Sequence, residues 1–305
     1  MQTYLSKRLI MIIPILLSVA TIVFFLIHVI PGDPVDLIVG EQALTTDKAR
    51  IASELNLDKP VIVQYGIFLK GLVTGDWGRS LFDRRPVLTQ LKERFSATAL
   101  LAFTAMFIAV LVAIPMGVLA AVKRNSFWDS ASMFIALVGI SVPNFWLGPV
   151  LILLFSVYIG ILPIAGGGSL SSIILPSITL GAALAAMLSR MTRASMIEEI
   201  KSEYITTARA KGISERKIIF KHAFKNALNP IITIVGLQVG ALLAGTVITE
   251  KIFSWPGIGS LLMDSIGRRD YPVVEGCILL ISFSYVIINM SVDLLYRFFD
   301  PRVKL

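Results

Sequence analysis

A bundle of α-helices that crosses a membrane six times is the fold this sequence predicts, and three observations predict it. The chain is 55% hydrophobic and only 16% charged, with a mean hydropathy of +0.79; soluble domains carry nearer a quarter charged residues. Its apolar residues are gathered into blocks of about twenty, the length that crosses about 30 Å of hydrocarbon at 1.5 Å per residue. Between the blocks, lysine and arginine are dense in some segments and sparse in others, as loops on opposite sides of a bilayer are.

The first span is read at residues 9–30. Lys7 and Arg8 before an apolar run give it the look of a signal peptide, but the run is longer than a usual signal core. Ile30-Pro31-Gly32-Asp33 also lacks a small-residue cleavage site, so the segment is expected to stay as a helix. Residues 31–97 form an outer segment, and the remaining spans are read at 98–122, 131–159, 173–193, 230–249 and 276–296. The third is too long for one straight crossing and contains Pro143. A proline removes a backbone donor and clashes with the turn before it, which predicts a kink or break near Ser141-Val142-Pro143. Cys277 is the one cysteine, which excludes an internal disulfide framework and supports no metal site.

Orientation follows from the basic residues. With the N-terminus inside, the cytoplasmic segments hold Lys7 and Arg8, then Lys123 and Arg124. A dense set follows in Arg190, Arg193, Lys201, Arg209, Lys211, Arg216, Lys217, Lys221 and Lys225, and last come Arg297, Arg302 and Lys304. An even number of spans then puts both termini in the cytoplasm. The net charge of +8 is a topology signal; no basic face with interleaved aromatics accompanies it, so nucleic acid is not the expected partner.

Two segments are too large to be plain connectors. The outer one (31–97) contains a helical stretch at 46–55 with Thr45 or Thr46 as a candidate N-cap, then an apolar stretch at 61–73. The turn-rich Gly75-Asp76-Trp77-Gly78-Arg79-Ser80 follows. It reads either as a cap over the bundle or as a docking surface for an external partner. The cytoplasmic one (194–229) reads as an elbow: Ser202 caps a helix at 203–211, Gly212 ends it, and Ser214 caps a second helix at 215–226 closed by Asn229-Pro230. Tyr204, Ala208 and Lys211 share a face, and the small residues Ala208, Ala210 and Gly212 would let another protein approach closely. A rigid knob fused to two spans suits mechanical coupling; a helix pair resting on anionic lipid is the alternative.

The run Glu203-Tyr204-Ile205-Thr206-Thr207-Ala208-Arg209-Ala210-Lys211-Gly212, followed by His222, Asn226 and Pro230, resembles the coupling loop of ATP-binding cassette (ABC) importer permeases. The variant is similar to that of the dipeptide, oligopeptide, nickel and glutathione permeases. Further stretches agree in the family's order: Pro31-Gly32-Asp33-Pro34, residues 75–80, Ile140-Ser141-Val142-Pro143, Ile252-Phe253-Ser254-Trp255-Pro256-Gly257-Ile258-Gly259, Arg269-Asp270-Tyr271-Pro272 and Asp300-Pro301-Arg302. Together they resemble the first of the two paralogous permeases of such systems. Asn56, where a glycine is usual, and Trp77, where leucine is common, are the departures.

The resemblance implies a type I importer permease fold divided into residues 1–30, 31–97 and a core at 98–305. It implies a bacterial inner-membrane assembly of a second permease, two ATPase subunits and an extracytoplasmic solute-binding protein. No G-x-x-x-x-G-K-[ST] phosphate loop occurs in the chain, so ATP and magnesium are expected on the partner subunits and no cofactor on this one. Glu203, Tyr204, Ala208, Arg209, Lys211, Gly212, His222 and Asn226 are the expected ATPase-coupling residues; Gly75, Asp76, Trp77, Gly78, Arg79 and Ser80 are the expected binding-protein contacts. Di- and oligopeptides are the expected cargo, with nickel chelates or glutathione as alternatives.

The translocation path is less legible. Gly236 and Gly240 make a G-x-x-x-G spacing that reads mainly as helix packing. Gln238 and Asn144 are the candidate pore-lining residues, because a polar amide at membrane depth prefers a partner or a wet cavity. The remote alternative is an intramembrane serine peptidase, which would need Ser141, Ser282 or Ser284 paired with a base; His28 is the one candidate near the outer face, and no G-x-S-x-G context surrounds any of them. His28 and His222 fall in different segments, which argues against a paired-histidine metal site.

Overall fold

The computed structural model describes residues 2–29, 34–39, 44–167 and 169–299. Pro31-Gly32-Asp33, Asp300-Pro301-Arg302 and Lys304 lie outside the described residues. Among those described there is no strand beyond one isolated bridge between Arg79 and Pro86. The helices are α1 (Gln2–Val29), α2 (Pro34–Val39), α3 (Thr45–Glu54), α4 (Val61–Thr74), α5 (Val87–Val122), α6 (Phe127–Ser141), α7 (Asn144–Leu151), α8 (Ile174–Ile200), α9 (Glu203–Ala210), α10 (Glu215–Lys217), α11 (Phe224–Ile252), α12 (Ile258–Arg268) and α13 (Tyr271–Phe299).

Four of these contain stretches long and apolar enough to cross a membrane: Met11–Val29, Val87–Val122, Ile174–Ile200 and Tyr271–Val292. Two more spans arise if each of two bent pairs counts as one, which recovers the six expected. One pair bends by 63° between Glu215–Gly240 and Gly245–Ile252. The other turns by 106° between α6 and the run Asn144–Tyr158, so the expected kink at Pro143 is a full break. Val142 is held extended at φ −87°, ψ 118°, as a residue before proline must be. The Pro143 carbonyl then accepts from Trp146 and Leu147, which starts α7.

Several expected edges move. The 36 residues of α5 extend about 54 Å at 1.5 Å per residue, well beyond the hydrocarbon, so the helix begins at Val87, eleven residues before the expected span. The second elbow helix is not closed at Asn229-Pro230. After α10 the chain makes a π-helical turn at Ile218–Ala223 and runs into α11, with Pro230 inside the helix. The Thr233 hydroxyl donates to the Asn229 carbonyl at 2.9 Å, and proline is tolerated within a helix that neighbouring helices surround.

The chain divides into two compact units. The first comprises Met1–Thr98 and Pro256–Val286. Its core joins Val23 and Ile27 of α1, Val87 and Leu91 of α5, Ile258 and Leu262 of α12, and Val273, Val274 and Cys277 of α13, with Trp77 packed against it. On α4, Tyr65 shares a 2.7 Å hydrogen bond with Thr21 and Gln64 lies 3.2 Å from the His28 ring.

The second unit comprises Ala99–Trp255 and Ile287–Leu305, with α8 packed against α6, α7 and α11. Gly181 brings α8 against the Ala105 backbone of α5, where a Cβ would come within 2.7 Å of the carbonyl oxygen. Gly236 packs against Val292 with no room for a side chain, so this glycine serves close helix packing. Asp129 of α6 is buried and accepts two bonds from the Arg193 guanidinium of α8, at 2.6 and 2.8 Å. The Asn125 amide donates to the same carboxylate at 2.9 Å.

Candidate functional site

The elbow between α8 and α11 is the first candidate site. Helix α9 is stopped by Gly212, two residues past its end, whose φ of +75° only glycine adopts at no cost. The Ile213 amide reaches back to the Ala208 carbonyl at 3.2 Å and the Gly212 amide to the Arg209 carbonyl at 2.9 Å, the paired bonds of a Schellman stop. Ser202 and Ser214 occupy the expected N-cap positions but make no capping bond; the Ser202 hydroxyl instead donates to the Glu199 carbonyl at 2.6 Å.

Two bonds brace the elbow across its bend. The Arg209 guanidinium pairs with the Glu215 carboxylate at 2.7 Å, one on each side of Gly212. The Asn226 amide donates to the Tyr204 phenol at 3.0 Å, and the phenol donates to the Glu199 carboxylate at 2.5 Å. Burial, followed by the bond to Glu199, pushes the Tyr204 hydroxyl above its ordinary pKa.

Underneath, Ile205, Ala208, Ile218, Ala223 and Ala227 pack with Met196 of α8 and with Val118 and Ala121 of α5. Ala208 is thus turned into the protein rather than outward, because it lies three residues from the buried Ile205 on one helix face. Among the small residues expected at the outer face, Ala210 and Gly212 are the exposed ones. Glu203, Tyr204, Arg209, Lys211 and Asn226 are exposed, and His222 is half-buried in the π-helical turn. The elbow is therefore a braced knob rooted in the ends of α5 and α8. Glu199 and Glu215 are missing from the sequence reading. Opposite charges three residues either side of Gly212 were a visible signal for Glu215; nothing local marked Glu199.

The second candidate is an open cavity of about 680 Å³ on the second unit. Both amides predicted to face a pore, Asn144 and Gln238, line it. The Gln238 amide lies against the Met187 sulfur. Leu180, Ala183, Leu184, Met187, Arg190, Met191 and Ala194 contribute one stripe of α8 at the spacing of three and four.

The third is the outer loop. Gly75 and Gly78, at φ +80° and +79°, turn the chain after α4. Ser80 is buried and its hydroxyl donates to the Asp270 carboxylate at 2.5 Å, while the Leu81 amide donates to the same group at 3.0 Å. The Ser80 oxygen in turn accepts from the Phe82 and Asp83 amides, both at 3.2 Å. Burial raises the Asp270 pKa, opposed by the bonds from Ser80 and Leu81. Two stretches quoted separately from the sequence, residues 75–80 and Arg269-Asp270-Tyr271-Pro272, thus form one lock. Gly75, Asp76 and Arg79 remain exposed, and Trp77 packs on the core. Among the described residues no cluster of three or more metal-ligating side chains occurs.

Known proteins are similar to this one over the whole chain. The Glutathione transport system permease protein GsiC of Escherichia coli (strain K12) is 44% identical over 304 residues, covering 100% of this chain and 99% of that protein. Its Salmonella typhi counterpart gives the same identity and coverage, 100% and 99%. A solved inward-facing MetNI methionine ABC transporter matches with a TM-score of 0.58 at 20% identity, covering 69% of this chain and 96% of that one. An amino acid ABC transporter with histidines matches with a TM-score of 0.54 at 16% identity, covering 71% and 95%. These two show a shared fold. A family described as Binding-prot-dependent transport system membrane comp, N-term, matches residues 1–102. Residues 113–305 match the Binding-protein-dependent transport system inner membrane component, and the chain belongs to that family of ABC importer permeases.

Proposed function

We propose that this permease forms half of the translocation path of an inner-membrane importer for short peptides, glutathione included. A second permease forms the other half. The chain carries no catalysis of its own; two ATPase subunits grip the elbow, and a solute-binding protein delivers cargo from outside. The observation that carries this reading is the braced elbow. Its bonds across Gly212 and its packing onto α5 and α8 let a push at Glu203, Arg209 or Lys211 reach the helices that line the cavity. Glutathione is itself a tripeptide, so the named relatives and the peptide reading agree in chemistry; nickel chelates are the alternative cargo.

The peptidase alternative lacks support in the geometry. The Ser141 hydroxyl donates to the Leu137 carbonyl at 2.8 Å, and the His28 ring is engaged by the Phe24 carbonyl at 2.8 Å and by Gln64.

The test is to purify the complex through a tag on this chain, reconstitute it in proteoliposomes with its binding protein, and follow uptake of labelled glutathione and of a tripeptide. ATP-dependent uptake with co-purified ATPase subunits is expected. Uptake without ATP, or a tagged chain that retains no ATPase, overturns it.

A further inference from the structure

The cavity is uneven in charge. Its lining includes two amides, two thioethers and several aliphatic side chains, and Arg190 is the single ionisable group among them. No carboxylate lies within ion-pair distance of Arg190 among the described residues. Arg193, three residues on, differs: it is fully engaged with Asp129. The two arginines therefore divide their work. Arg193 ties α8 to α6, whereas Arg190 is exposed on the stripe of α8 that lines the open cavity. A basic residue near a span end is ordinarily a topology marker. A marker can occupy any face of its helix; this one shares the face that lines the cavity with Met187 and Met191.

The surroundings specify a ligand class. A guanidinium presents a planar fork that matches a carboxylate. Met187 and Met191 offer flexible, polarizable side chains that accept apolar groups of varied shape. Asn144, and Gln238 on leaving its contact with Met187, supply amides that bond to a peptide unit in either sense. We infer that Arg190 anchors the terminal carboxylate of the cargo, with Met187 and Met191 receiving its side chains and Asn144 and Gln238 its amide groups. This rests on the importer reading above and names the substrate class of the same path: small amphipathic acids with a peptide backbone.

The experiment is direct binding of trialanine and of trialanine C-terminal amide to the purified importer without its binding protein, read by saturation-transfer NMR. Leaving out the binding protein removes its own selectivity. The acid should bind at least about tenfold more tightly than the amide, the scale of one charge-assisted hydrogen bond. Arg190→Gln should bring the two to equal affinity, and Arg190→Lys should restore part of the preference. A misfolded variant would lose both ligands, so the acid-to-amide ratio is the reading that counts. Equal affinities in the wild type, no binding of the acid, or a preference that survives Arg190→Gln each overturns the assignment. ATP-driven uptake with the binding protein present is measured separately. Its failure with the acid preference intact sinks the importer reading and leaves the carboxylate site standing.

Discussion

The Asn226 amide donates to the Tyr204 phenol at 3.0 Å across 22 residues of chain, joining the start of α9 to the start of α11. The same phenol donates to Glu199 near the end of α8, so one side chain closes a triangle of three helices. Tyr204→Phe and Asn226→Ala should each lower coupled transport, and the double variant should cost no more than the worse single one. The interaction energy in such a cycle should be about 0.5–1.5 kcal/mol. Strict additivity would mean that the two residues act apart, each toward the ATPase.

Gly212 makes a sharper case, because its strain and its steric space can be separated. A side chain there would meet no atom within 4 Å, yet the backbone sits at φ +75°. Gly212→Val should cost about 1–3 kcal/mol locally through backbone strain alone. Gly212→Asn, which tolerates the left-handed region, should stay near wild type. Uptake rate and retained ATPase after purification are the measurements. Equal damage by both substitutions would point to a crowded ATPase contact rather than to a distorted elbow. Glu203→Lys should reduce ATPase retention by another route, reversing a carboxylate favoured in the first turn of α9.

Much of this elbow was legible because its signals are local. A glycine between two helix-forming stretches marks a stop, and apolar blocks of fixed length mark spans. What escaped the sequence were relationships between residues far apart in the chain. Ser80 and Asp270 are 190 positions apart, and neither motif names the other. Ala208 looked outward by helical spacing from Tyr204, but burial is decided by what lies beneath, and Met196 and Ile218 lie beneath it. The helix through Pro230 was misjudged because a proline in water ends a helix, whereas neighbouring helices support one in a bundle.

The Asp129–Arg193 pair should be structural. Asp129→Asn keeps the shape but removes the charge that meets the guanidinium, and the loss should be about 1.5–3 kcal/mol, the range for hydrogen bonds to charged groups. Thermal unfolding of the purified complex checks it. A variant as stable as wild type would show that Arg193 turns to water without cost.

Orientation can be tested with little background, since Cys277, the chain's one cysteine, is fully buried. Position 50 lies on an exposed face of α3 and position 210 on the exposed face of the elbow. An impermeant thiol reagent added outside should label Arg50→Cys in intact cells with a permeabilised outer membrane. It should reach Ala210→Cys only after the inner membrane is opened. The reverse pattern sinks the proposed topology.

The outer loop separates a docking role from a structural one. Ser80 and Asp270 are buried and hold the loop, so Ser80→Ala should loosen it, seen as faster proteolysis between α4 and α5 even without a binding protein. Asp76 and Arg79 are exposed. The Asp76 carboxylate bonds within the loop to the Gly78 amide at 3.2 Å, and the Arg79 guanidinium reaches the Arg84 carbonyl at 3.4 Å, both contacts that water can replace. Arg79→Glu should therefore leave the loop ordered while weakening a charged contact to the binding protein. The expected reading is a severalfold loss of binding-protein-stimulated ATP hydrolysis with the unstimulated rate unchanged, a contact on the scale of about 1 kcal/mol for an exposed charge. Normal stimulation in Arg79→Glu, with stimulation lost in Ser80→Ala, would assign the loop to holding the α12–α13 corner and move the docking surface elsewhere on the outer segment.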